Sequence, residues 1–78
     1  MIVTFVGGPW HGAHQSIEDP QPTMEAANQD GSPMEYLHRE SLLNLKDVVV
    51  QLFYAPMQLT AEEFSRLSTN LRVPLAVV

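Results

Sequence analysis

Four stretches of the chain alternate apolar and polar positions or run apolar, and each predicts a strand. Ile2–Val6 is a β-branched, aromatic run that ends at Gly7-Gly8-Pro9, a strand stopping at a turn. Ala13–Glu18 alternates, with Ala13, Gln15 and Ile17 on one side and His14, Ser16 and Glu18 on the other. It reads as the return strand of a hairpin whose loop is Gly7–Gly12. Met34–Leu43 alternates again, with Met34, Tyr36, His38, Glu40 and Leu42 sharing one face. Asn44–Asp47 has turn chemistry. Val48–Tyr54 is apolar on both faces, the mark of a central strand. It pairs with 34–43 as a second hairpin.

The remaining segments break this period. Residues 19–33 contain Pro20, Pro22, Gly31 and Pro33 among acids and amides, and read as a long acidic, Pro-rich loop. Met24–Asn28 inside it has the composition of a single helical turn, too short to stand alone. Thr60 is a natural N-cap, with Glu63 at capping-box spacing and Leu59 and Phe64 placed as a hydrophobic staple. Glu62 and Glu63 favour the first turn, and Phe64, Leu67 and Leu71 form the apolar stripe of a helix. Pro74 ends it, and the apolar tail 73–78 reads as an edge strand. The expected fold is therefore a single α+β domain over 1–78. It has a small antiparallel sheet of about four strands in two hairpins, with one C-terminal helix packed on it.

Charge changes the picture more than length does. The 78 residues carry a net charge of −5. Residues 1–38 hold the acids Glu18, Asp19, Glu25, Asp30 and Glu35 and no Lys or Arg, whereas 39–78 are balanced. Direct nucleic-acid binding is disfavoured, because phosphate contact needs clustered cations. An acidic face suits a basic partner, or mimicry of DNA on a DNA-binding protein; it also serves simply as a solubilising surface. The absence of cysteine excludes disulfides and thiolate metal sites, and fits a reducing compartment or a secreted protein that needs no staples. The opening residues are too short for a signal peptide, and no run approaches the roughly 20 apolar residues of a membrane span. A cytoplasmic location is expected.

Candidate chemistry is sparse. Gly7-Gly8-Pro9-Trp10-His11-Gly12 resembles a phosphate-cradling loop only superficially. A strand rather than a helix follows, and the spacing fits neither phosphate-loop fingerprint. Trp10, the only Trp, either folds back as a core plug or stands exposed as a binding anchor. His11, His14 and His38 are weak metal candidates: the first two have i, i+3 spacing but lie on a turn and strand, where they need not converge. No serine has a nucleophile-elbow context, and the Glu62-Glu63 pair is explained by helix capping. No catalytic residue, metal or cofactor is expected.

The segments IVTFVGGPWHG, MEYLHRESL and VVVQLFYAPMQLTAEEFSRL together resemble small uncharacterised proteins of actinobacteria and their bacteriophages. Those begin with a short strand and a Gly-Gly-Pro-x-x-Gly turn, here Gly7, Gly8, Pro9 and Gly12. They continue with a Tyr-containing strand, here Tyr36, His38 and Arg39, which in the family is usually more basic. The resemblance implies a phage-type origin and no catalytic residue. The expected function is that of a non-enzymatic module that binds and modulates a host protein, with Trp10, Glu18, Asp19, Glu25, Asp30 and Glu35 as the contact surface. The alternative is a homo-oligomeric structural or assembly protein, and the third reading is a small metal-binding domain.

Overall fold

The computed structural model describes residues 1–72; the expected edge strand at 73–78 lies outside them. Five strands form one sheet: β1 (Ile2–Phe5), β2 (His14–Ser16), β3 (Thr23–Ala27), β4 (Pro33–Leu43) and β5 (Val49–Pro56). The helix α1 (Ala61–Ser68) and a short 3-10 turn, Thr69–Leu71, complete the described chain. The sheet order is β2-β1-β5-β4-β3. Both expected hairpin partnerships are present, β1 with β2 and β4 with β5.

Three features differ from the sequence reading. A fifth strand, β3, lies inside the expected 19–33 loop and pairs antiparallel with β4. Its Met-Glu-Ala-Ala composition favours helix, but pairing with β4 and burial of Ala26 override that weak local preference. The sheet is mixed, because β1 and β5 run parallel, from Ile2 beside Gln51 to Phe5 beside Tyr54. Finally, β4 does not keep one face from end to end. His38 opposes Tyr54 and Glu40 opposes Phe53, so Arg39 is an extra, bulged residue. The bulge moves Glu40 and Leu42 to the side opposite Met34, Tyr36 and His38.

The central β5 is buried on both faces, as its two apolar faces require. On one face Val3, Phe5, Ala26, Tyr36 and Tyr54 form an aromatic cluster with Trp10, Ile17, Met24, Met34 and Leu52 packed against it. Among the described residues no helix covers this side. The connection from β2 to β3 crosses it instead, held where the Tyr54 hydroxyl donates to the Gln21 carbonyl. On the other face Val6, Phe53 and Ala55 meet Phe64 of α1, with Leu42, Leu59, Leu67 and Leu71 around them. The Thr60 hydroxyl accepts the Glu63 N–H at 3.1 Å and the Glu63 carboxylate accepts the Thr60 N–H at 3.3 Å, completing the capping box. The Thr60 hydroxyl also donates to the Glu63 carboxylate at 3.0 Å, and this bond, followed by that of the Thr60 N–H, holds the Glu63 carboxyl below the usual carboxylate range.

Candidate functional site

The β3–β4 hairpin brings together three of the five N-terminal acids. Asn28 N–H donates to Ser32 C=O at 2.9 Å, and His38 N–H to Pro22 C=O at 3.1 Å. Hydrogen-bonded pairs alternate along an antiparallel ladder with non-bonded pairs whose Cα atoms lie closer, so 24/36 and 26/34 also fall in the bonded set. Glu25 and Glu35, which are direct partners in the register, therefore form a non-bonded pair, with Cα atoms about 4.5 Å apart. Met24, Ala26, Met34 and Tyr36 point into the aromatic cluster, so both glutamates point to the opposite face. Both are exposed, and neither carboxylate has a hydrogen bond or ion pair among the described residues. Like charges placed directly opposite destabilise a sheet by a few tenths of a kcal/mol up to about 1.

The same parity exposes the strand edge. β3 is the last strand of the sheet, so the N–H and C=O groups of Thr23, Glu25 and Ala27 face away from β4. A row of unpaired backbone groups thus runs beside a carboxylate pair. The nearby bases do not neutralise it. Arg72 is committed to Glu40 through two 3.0 Å bonds. Arg39 donates to the Leu59 carbonyl at 2.7 Å and lies over the Phe64 ring, 5.0 Å from its centre.

The other expected contact residues are placed differently. Asp30 is a turn builder: its carboxylate accepts the Ser32 hydroxyl at 2.6 Å and the Ser32 N–H at 2.9 Å, and these bonds hold its carboxyl below the usual range. Glu18 and Asp19 are exposed on the connection after β2, which starts at the far end of the sheet where Ile17 N–H meets Met1 C=O. Trp10 is half-buried. Its ring stacks on Tyr36 with centres 5.5 Å apart and planes 10° apart, and Phe5 meets it edge-on at 5.0 Å. It plugs the aromatic cluster rather than standing beside the carboxylates.

The three histidines go to separate partners. His11 Nδ1 accepts the Gly7 N–H at 2.8 Å, and His14 Nδ1 lies 2.8 Å from the Thr4 hydroxyl. His38 Nε2 lies 3.0 Å from the Ser41 hydroxyl. Among the described residues no three His, Asp or Glu side chains converge as a metal site would require. The His38–Ser41 contact is invisible to strand periodicity, which sets positions 38 and 41 on opposite faces. The Arg39 bulge brings them to one face, above a shallow cavity of about 280 Å³ lined by Pro20, Pro22, His38, Ser41, Leu52 and Tyr54. A base–nucleophile pair also needs a third group to orient the imidazole. No partner holds His38 Nδ1 among the described residues.

Among the described residues, no helix is long and apolar enough to cross a membrane. Compared with known proteins, the chain matches no family, no curated protein and no solved structure.

Proposed function

We propose that this protein is a non-enzymatic, phage-type interaction module that binds a host protein and modulates it, with the β3–β4 hairpin as its contact surface. The observation that carries this reading is the Glu25–Glu35 pair. Two exposed carboxylates face each other at a cost to the sheet and have no ion-pair partner among the described residues. A basic partner would turn that cost into attraction. Carboxylates lined along an edge strand can also stand in for phosphates, so a DNA-binding protein is one such partner.

The test is affinity capture from an actinobacterial host lysate with the wild-type chain and with E25K/E35K. A specific protein held by the wild type at low salt, lost with the variant and released by high salt, is the expected result. A partner retained equally by both proteins would sink the proposal. Adding duplex DNA to the captured complex tests the mimicry: DNA should displace the chain from a DNA-binding partner.

A further inference from the structure

The end of the sheet away from the carboxylate pair has a different chemistry. Among the described residues six large apolar side chains are exposed, and five of them lie at this end. Leu43, Leu45 and Val48 belong to the β4–β5 hairpin. Met1 and Ile2 start the neighbouring β1, where Ile2 lies beside Gln51 of β5. Leu45 is 90% exposed.

The loop that holds Leu45 out is wired internally. The Asn44 side-chain oxygen accepts the N–H groups of Lys46 at 2.8 Å and Val48 at 3.1 Å. Asn44 N–H donates to Val48 C=O at 2.9 Å, and Asp47 N–H to Asn44 C=O at 3.1 Å. Asp47 takes up a left-handed conformation, φ 60°, to close the turn. A turn needs polar residues for its own geometry. The leucine at the tip is not part of that requirement, and little ordering remains to be lost when it docks.

The charges on the tip select the occupant. Lys46 and Asp47 are adjacent and exposed, and neither has an ion-pair partner among the described residues. A partner surface of one sign gains from one of them and is repelled by the other. A second copy of the same tip, turned by a two-fold axis, matches both, since a two-fold contact is self-complementary. We propose that two copies of this chain associate through the Leu43–Val49 hairpin end. Leu45 and Val48 are buried between them, and Lys46 of each copy lies against Asp47 of the other. This surface is separate from the Glu25–Glu35 edge, so a dimer would present that edge twice.

Sedimentation equilibrium of the full chain, up to about 1 mM, tests the pairing. The wild type should reach twice the monomer mass, and L45D should weaken association at least about tenfold. K46E and D47K should each fail to self-associate, yet an equimolar mixture of the two should form a heterodimer, because the exchanged charges then match. A urea midpoint for each variant confirms that it is folded. A strictly monomeric wild type, an unimpaired L45D, or folded K46E and D47K that do not combine would each overturn the proposal. So would a monomer that instead binds neutral phosphatidylcholine vesicles through Leu45.

Discussion

Replacing Tyr36 by Phe should destabilise the protein more than removing one oxygen atom suggests. The ring is fully buried, so its packing on Phe5 and Trp10 is retained. The hydroxyl does two further things: it accepts the Trp10 N–H at 2.9 Å and donates to the Gly7 carbonyl at 2.6 Å. It thereby ties the Gly7–Gly12 loop to β4. Without it a buried carbonyl and a half-buried N–H lose their partner together. An orphaned group costs about 1–3 kcal/mol; the half-buried Trp10 N–H, which water can reach, lies at the low end of about 1 kcal/mol, which places the combined loss at about 2–4 kcal/mol. A domain of this size has a total stability of roughly 4–12 kcal/mol, so the change is a large share of it. The corresponding fall in Tm is about 10–20 °C. Urea unfolding followed by the fluorescence of Trp10 and by far-UV circular dichroism measures it. Tyr54→Phe is the control. Its hydroxyl serves only the Gln21 carbonyl, on an exposed residue that water can reach, so the loss should be about 1 kcal/mol. A Tyr36→Phe variant within about 0.5 kcal/mol of the wild type would refute the reasoning.

Two other outcomes follow from the same region. Gly8 and Gly12 both have positive φ, at 69° and 83°. A Cβ on Gly8 would lie 2.7 Å from the Tyr36 hydroxyl and 3.0 Å from the Met34 sulfur, whereas one on Gly12 meets nothing within 4 Å. G12A should therefore cost about 1 kcal/mol for its backbone alone, and G8A about 2–4 kcal/mol; equal losses in urea denaturation would contradict this. Burial also raises the phenol pKa values of Tyr36 and Tyr54 above the ordinary 10.0. The folded chain then binds more protons than the unfolded chain above about pH 10, so stability is fully present below that pH and falls as pH rises through the raised values. A urea midpoint that stays level from about pH 9 to 11.5 would be inconsistent with it.

Local signals made some of this legible and register decided the rest. The capping box at Thr60 and Glu63 and the double apolar face of Val48–Tyr54 are each written in neighbouring residues; the cap appears where expected, and the strand forms over Val49–Pro56. β3 is not legible in that way. Only Ala26 of its five residues is buried, and its flanking prolines and acids look like loop. Its identity as a strand comes from β4, about ten residues further on in sequence. The parallel contact of β1 with β5 is likewise a decision of tertiary packing. The site has the same character. The acids can be counted from the sequence, but only the register sets Glu25 against Glu35 and turns Asp30 inward to Ser32.

The bulge at Arg39 is where the sequence pattern is most misleading, and it yields a sharp prediction. With His38 opposite Tyr54 and Glu40 opposite Phe53, deleting Arg39 leaves two consecutive pairs in a regular ladder. Met34, Tyr36 and His38 would keep the aromatic face, and Glu40 and Leu42 would keep the helix face. The extra residue is then there for its side chain, which clips β4 to the Leu59 carbonyl and the Phe64 ring. An exposed cation over an aromatic ring is worth about 0.5–1 kcal/mol, and a charge-assisted hydrogen bond at the surface adds a similar amount. Deletion of Arg39 and Arg39→Ala should accordingly both fold, and both should lose about 1–2 kcal/mol in urea denaturation. A deletion variant that fails to fold while Arg39→Ala remains native would show the opposite. The bulge itself, through the added twist it gives the strand, would then be what shapes the sheet.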